Sequence, residues 1–263
     1  MRPDGTMRIV RTTVVLGALL ACALPAAHAD EPVPSVHVAG IADPEMRSYR
    51  SVAAGLDAFD AHRELAPHAT LRFRMRHADG APAHADDGLQ LRLASDDGSF
   101  QENVPIDAAG LLTLARDQAA YDADATFILN RKNGKYTGHP EVRTAGLPDG
   151  VRRLGDLRLE CRVTIAIVKH DMPFLAKAAL DTLMMTSDWC AKNDFNFGVP
   201  AARRSARAIL RDGARSRTLD TRGWNVMVPI GDPAWPDDAL VQFDDGAPGA
   251  ATRTADGTPR TAP

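Results

Sequence analysis

The stretch TLRFRMRH, residues 70–77, constrains the fold more than any other part of the sequence. It alternates apolar with basic side chains at Leu71, Phe73 and Met75 and at Arg72, Arg74 and Arg76. In an extended chain, alternate residues point to opposite faces. The pattern therefore predicts a strand with one buried face and one hydrated face, where arginine stems cover apolar surface.

Similar segments follow at a spacing of about ten residues, which is typical of an antiparallel β-sandwich. They include LQLRLA at 89–94, GLLTLAR at 110–116 and DATFILNRKNGKY at 124–136. Asn133-Gly134 predicts a type I′ hairpin, because that turn needs positive φ at both central residues. We expect a mainly β fold built as an antiparallel sandwich.

Two helices are predicted beside the strands. Asp43 is a suitable N-cap for an N-terminal helix that ends before Pro67. Residues 171–187 form a second, apolar segment, which we expect to pack as an inserted helix under other structure. Between them, residues 156–168 alternate again and predict the longest strand, with Cys161 on its apolar face.

The N-terminus has the features of a secretion signal. Arginines precede the apolar run VVLGALLACALPAA, and AHA before Asp30 fits a cleavage site, so we predict a signal peptide at 1–29. The mature protein is then periplasmic or secreted. LLAC, ending at Cys22, loosely resembles a lipobox, and lipidation at Cys22 is the alternative that would attach the protein to a membrane.

The rest of the chain is predicted to form one sandwich-based domain at 30–243, followed by a disordered tail at 244–263 that has almost nothing to bury. A division into a core sandwich at 68–168 and a C-terminal extension at 169–243 is left open.

Cys161 and Cys190 remain after signal removal, and two cysteines in an exported chain predict one disulfide. A strand from Cys161 to Val168 rises about 23 Å. A helix over 173–187 returns about 22 Å and brings Cys190 level with Cys161. Two free thiols are the alternative. No signature places a histidine beside either cysteine for nucleophilic catalysis.

Charge and missing motifs argue against several functions. Residues 1–29 contain three arginines and one aspartate, so the remaining chain carries a net charge of −5 against −3 for the whole. Such an acidic chain is not expected to bind nucleic acid. The hydrolase, metalloprotease and nucleotide-binding motifs GxSxG, HExxH and GxxxxGK are not found, and we predict no cofactor.

Three surface features are the candidate contact sites. His77, His84 and Asp86, with Asp79 and Asp87 nearby, lie in HADGAPAHADDG and are candidate metal ligands; a polar loop that binds no metal is the alternative. Arg207 and Arg211 belong to a basic segment that meets either an anionic partner or only solvent. Trp235, in the Pro-flanked GDPAWPDD, is expected to be an exposed contact residue.

Residues 88–137, GLQLRLASDDGSFQENVPIDAAGLLTLARDQAAYDADATFILNRKNGKY, resemble the carboxypeptidase-regulatory-like and transthyretin-like β-sandwich modules of exported proteobacterial proteins. The resemblance implies a binding or structural role and no catalytic residues. We therefore expect a non-catalytic module of the cell envelope, with a polysaccharide or another envelope protein as its partner. The alternatives are a hydrolase acting on glycan or peptide, and a carrier with an apolar pocket beside Met184 and Met185.

Overall fold

Strands and helices alternate through residues 41–244, the part of the chain that the computed structural model describes. The predicted signal peptide, Cys22 and all but the first residue of the predicted tail lie outside these residues. The first half contains β1 Pro44–Ser48, α1 Tyr49–Ala61, β2 Ala69–His77, β3 Leu91–Ala94, β4 Gln101–Val104, β5 Leu111–Leu112, α2 Gln118–Asp122, β6 Thr126–Lys132 and β7 Tyr136–Thr144.

The second half has the same mixture of elements, with more helix at its start. It contains β8 Val151–Arg153, α3 Leu154–Asp171, α4 Phe174–Met184, β9 Phe197–Pro200, β10 Arg207–Asp212, β11 Arg215–Leu219, β12 Thr221–Arg222, β13 Asn225–Val228 and β14 Leu240–Asp244.

The strands form four sheets in which every pair is antiparallel. Sheet A has the order β1-β6-β3-β4 and sheet B the order β5-β2-β7. Sheet C has the order β11-β10-β14-β8 and sheet D the order β12-β13-β9. The predicted mainly β, sandwich-like fold is confirmed.

Two hydrophobic cores share helix α3. The first core lies between sheets A and B and α1, and α3 contributes Leu159, Val163 and Ile167 to it. The second core lies between sheets C and D, and α3 contributes Leu154 and Leu157 together with Cys161. Opposite sides of one helix therefore complete both cores.

This arrangement explains why the predicted strand at 156–168 is wrong. The segment lies within α3, and residues 154–161 are buried at nearly every position. A helix buried on two sides needs apolar residues on both, so its sequence loses the single stripe of a surface helix and the odd-numbered positions imitate a strand. The β-branched residues favour a strand, but the packing outweighs that preference.

The N-terminal helix begins later than predicted. Ser48, not Asp43, is its N-cap, with the Ser48 hydroxyl accepting a hydrogen bond from the Arg50 N–H. Residues 44–48 instead form β1, which pairs with β6. In this strand Met46 is 50% exposed.

The Asn133-Gly134 turn also differs from the prediction. Only Gly134 has positive φ, so the turn is not type I′. The strands on either side do not pair with each other, because β6 belongs to sheet A and β7 to sheet B. The turn therefore carries the chain from one sheet of the first core to the other.

Helix α4 is exposed, which contradicts the prediction that it packs under other structure. Phe174 and Leu175 are each 79% exposed and Leu183 is 74% exposed. Near the C-terminal end of α4, Asp181 accepts hydrogen bonds from Lys169 Nζ at 2.7 Å and from Trp189 Nε1 at 2.9 Å. These bonds connect α4 to α3 and to the segment that follows α4.

The predicted cysteine pair is found, although the path between its members is different. Cys161 and Cys190 are disulfide-bonded, with their Cα atoms 6.0 Å apart. Cys161 lies in α3 rather than in a strand, and Cys190 lies in a short 3-10 turn after α4. The bond therefore ties the segment that follows α4 to the middle of α3.

Candidate functional site

An apolar cavity of about 210 Å³ opens from the first core. Strands of both sheets line it with side chains that would otherwise meet in a closed core. These residues include Phe73, Met75, Leu91, Leu112, Phe127 and Leu129. The end of α3 adds Ile167 and Val168.

Gly138 of β7 is an exposed residue of the cavity lining. It pairs with Met75 across β2 and β7, so a side chain at position 138 would lie on the same face of sheet B as the Met75 side chain. A Cβ atom added there would lie 3.6 Å from Met75 Sδ, an ordinary contact. The φ of Gly138 is not positive, so backbone conformation does not require glycine. Gly138 is exposed, although Pro140 and Val142 on the same face of β7 are buried, and a glycine inside a strand often marks a place where another group approaches.

The mouth of the cavity combines exposed apolar residues with charged ones. Met46 and Val168, which are 50% and 37% exposed, line the opening. Arg47 of β1 also lines it, and its Nη1 donates to Asp171 at the end of α3 over 2.6 Å. This ion pair ties the first strand to the helix end across the rim.

His139 is the titratable group of the lining that lies on β7. Burial, together with the nearby charges of Arg76 and Arg47, lowers the pKa of His139 to about 4. The imidazole is therefore neutral at physiological pH, where it offers one donor and one acceptor and no charge.

The volume limits what the cavity can hold. A dry cavity of about 150 Å³ accepts benzene, so about 210 Å³ corresponds to a ligand of roughly eight to ten non-hydrogen atoms. Met184 and Met185, beside which an apolar pocket was predicted, are not among the lining residues; Met185 is 84% exposed on α4.

The candidate metal ligands are only partly brought together. His77 Nε2 lies 3.2 Å from Asp87 Oδ2, and the Tyr136 hydroxyl donates to Asp87 Oδ1. His84 and Asp86 lie in and beside a 3-10 turn closed by the Asp87 carboxylate, which accepts from the His84 N–H. Within residues 41–244, no group of three or more His, Cys, Asp or Glu side chains is arranged to hold a metal ion.

Trp235 is not exposed, contrary to the prediction, because its loop folds around Arg158 of α3. The Arg158 guanidinium donates to the carbonyls of Ile230, Asp232 and Trp235 and to the Asp237 carboxylate. Trp235 is thereby 5% exposed within the second core, with Arg215 stacked 3.8 Å from its ring centre.

Arg207 and Arg211 lie on the solvent side of sheet C. They alternate along β10 with the buried Ala208 and Leu210, and both arginines are exposed. The structure places them on one face, where an anionic partner has access. It does not bring them to the buried Trp235.

The buried carboxylates are already occupied by structural hydrogen bonds. Glu141 accepts two hydrogen bonds from Arg74, and Asp156 accepts from the Thr144 N–H and hydroxyl. Glu160 accepts from the Val142 N–H and from Arg152. A general base must be able to reach a substrate proton, and these three groups are committed to the fold instead.

Neither a family model nor a curated protein nor a solved structure matches the chain. Among residues 41–244, no helix combines the length and apolar character that a membrane crossing requires. The structure itself therefore defines the class of this protein. It is a mainly β protein with two hydrophobic cores built from sheets, and the first core has an apolar cavity.

The sequence contains one signal for this cavity that the strand predictions missed. In YTGHPEV, residues 136–142, alternation places Tyr136, Gly138, Pro140 and Val142 on one face. Pro140 and Val142 are buried whereas Gly138 is exposed, so the glycine interrupts a core-facing row. An interrupted row of this kind indicates that a side chain is missing from the core at that position.

Proposed function

We propose that this chain is a non-catalytic binding protein of the cell envelope that holds a small apolar or amphiphilic molecule in the first-core cavity. The observation that carries the proposal is the open apolar cavity beside Gly138. Protein interiors are normally filled to crystal-like density, so a cavity with an exposed mouth is suited to a ligand.

The remaining features agree with this role. The signal-like N-terminus and the Cys161–Cys190 pair are compatible with a periplasmic or secreted protein. The resemblance of residues 88–137 to transthyretin-like sandwich modules also favours binding over catalysis. The buried carboxylates accept structural hydrogen bonds, which also favours binding over catalysis.

The test is titration calorimetry of the folded protein with indole and with octanoate, two probes whose sizes match the cavity. We expect at least one of them to bind with a Kd at or below about 1 mM. Gly138→Leu fills the cavity, and we expect it to weaken binding by at least about tenfold without lowering the thermal midpoint, because cavity filling commonly stabilises.

Gly198→Leu is the matched control. Gly198 lies in strand β9, its φ is not positive, and an added Cβ would make ordinary contacts, 3.5 Å from Asn225 Cβ and 3.7 Å from Met227 Sδ. It does not line the cavity, so its substitution should leave binding unchanged. The proposal fails if neither probe binds, or if both glycine variants bind as the unchanged protein does.

A further inference from the structure

A second cavity, which we call the arginine cleft, lies on the opposite side of sheet B. It has a volume of about 250 Å³ and is lined by Arg74, Arg76, Arg143 and Arg152, with Glu141 among them. Arg74 and Arg76 alternate with the cavity-lining Phe73 and Met75 along β2, so the cleft and the first-core cavity lie on different faces of one strand. The predicted hydrated arginine face is wrong at Arg76, which is only 5% exposed.

The carboxylates near the cleft balance only two of its four arginines. Arg74 Nε and Nη2 donate to Glu141 at 2.6 and 3.2 Å, and Arg152 Nη2 donates to Glu160 at 2.6 Å. Arg76 donates only to the carbonyls of Gly80, Pro200 and Ala201. Arg143 donates only to the Val151 carbonyl, at 3.4 Å. Among the described residues, neither Arg76 nor Arg143 has a carboxylate within ion-pair distance; Glu141 and Glu160 act on Arg76, and Glu141 acts on Arg143, only from farther away.

A buried cation without an anion is costly, which is why this imbalance is informative. Burial and, after it, the neighbouring Arg74 charge lower the pKa of Arg76 to about 10, and together they outweigh the opposing effect of Glu141 and Glu160. Arg152 is 7% exposed, and its buried Nε–H has no acceptor within residues 41–244. The cleft thus combines excess positive charge with an unsatisfied guanidinium donor.

Part of the cleft lining is apolar, and we call this part the apolar wall. It includes Pro82, Ala201, Ala202 and Phe243. The volume exceeds that of a bare phosphate or carboxylate, so there is space for the body of a small molecule against this wall.

We propose that the arginine cleft binds a small molecule through an oxyanion group, a phosphate or a carboxylate. Guanidinium groups bind such oxygens through charge-assisted, often bidentate hydrogen bonds. The bound group would neutralise Arg76 and Arg143, and the rest of the ligand would lie against the apolar wall. This site is independent of the first-core cavity.

The test uses three probes with the folded protein at low ionic strength: inorganic phosphate, glucuronate and uncharged glucose. We expect both anions to bind with a Kd below about 10 mM at roughly 20 mM salt, and binding to weaken as salt is added. Glucose should not bind. The tighter of the two anions identifies whether the natural group is a phosphate or a carboxylate.

Arg143→Gln is the informative variant, because Arg143 makes a single long hydrogen bond and its loss should leave the fold intact. We expect it to raise the Kd for both anions by at least about tenfold. Arg72→Gln is the matched control: Arg72 shares the face of β2 with Arg74 and Arg76 but does not line the cleft. Its substitution should change the Kd by less than about twofold.

A second measurement needs no substitution. The Arg152 Nε–H signal in a nitrogen–proton correlation spectrum should shift when an anion binds, because negative charge among the cleft arginines changes the electric field at that buried proton. The proposal is overturned if neither anion binds, if glucose binds equally well, or if Arg143→Gln and Arg72→Gln have the same effect. Gly138→Leu should leave anion binding unchanged, so this result is separate from that of the cavity.

Discussion

The two cores differ in how they use α3. The first core leaves about 210 Å³ open beside Ile167, whereas Leu154 and Leu157 on the other side of the helix are fully buried in the second core. The second core also contains the Cys161–Cys190 bond. Cys161 and Ile167 are six residues apart, about 9 Å along the helix. The second core therefore fixes in place the helix that forms one wall of the first-core cavity.

The contact between α3 and the edge of sheet B shows how this is achieved. Asp156 and Glu160 accept hydrogen bonds from the backbone N–H groups of Thr144 and Val142 in β7, each at 2.9 Å. Four helical residues rise about 6 Å, close to the roughly 6.6 Å covered by two strand residues. The two carboxylates therefore act as a substitute neighbouring strand, and they satisfy N–H groups that an edge strand would otherwise leave unpaired.

The largest effect is expected from Glu160→Ala, which breaks the link between the cores. Arg152 of β8 donates to both Glu160 and the Val142 carbonyl, and the substitution leaves its buried charge without a counterion. We expect the free energy of unfolding to fall by about 3–5 kcal/mol in urea denaturation. Asp57→Ala, which alters an exposed pair with Arg116, is the control and should have little effect. Equal losses in the two variants would show that the link is not structural.

How well the sequence predicts the secondary structure of each core depends on how that core is built. Strands with one wet face, such as β2 and β10, follow from alternation. Helix α3 does not, because a helix buried against two cores lacks the single apolar stripe that reveals a helical period. The pairing of Cys161 with Cys190 was predicted from the count of cysteines and the compartment, not from a correct path between them.

The sites were harder to predict than the fold, for a related reason. The sequence around Trp235 is typical of an exposed loop. Trp235 is buried because Arg158, 77 residues earlier, donates hydrogen bonds to the carbonyls of that loop. Arg76 looks hydrated because its own strand is half-wet, but residues 200–201 of the other half of the chain cover it. Long-range contacts of this kind do not change the local order of apolar and polar residues from which burial is predicted.

Loss of the disulfide should lower the free energy of unfolding by a smaller amount, and it should affect the second core more than the first. The bond closes a segment of 29 residues, and the chain-entropy model gives a loss of about 3–4 kcal/mol for Cys161→Ser with Cys190→Ser. We expect hydrogen exchange to quicken most in α4 and in the second core near Cys190. Equal loss of protection at Phe73 and Leu129 in the first core would contradict the idea that the bond serves mainly the second.

The smallest effect is expected on acidification. The pKa of His139 is about 4 in the folded protein against an ordinary value of 6.5, so below pH 6.5 the unfolded chain takes up a proton that the folded chain does not. The contribution of His139 is complete above pH 6.5, declines as the pH falls and is lost by about pH 4. The full loss is at most about 3 kcal/mol. His139→Asn should remove this part of the pH dependence, which is measured as the difference in unfolding free energy between the two proteins at pH 7.5 and pH 4.5. Parallel pH profiles for the two proteins would mean that His139 is not buried as a neutral group at the cavity.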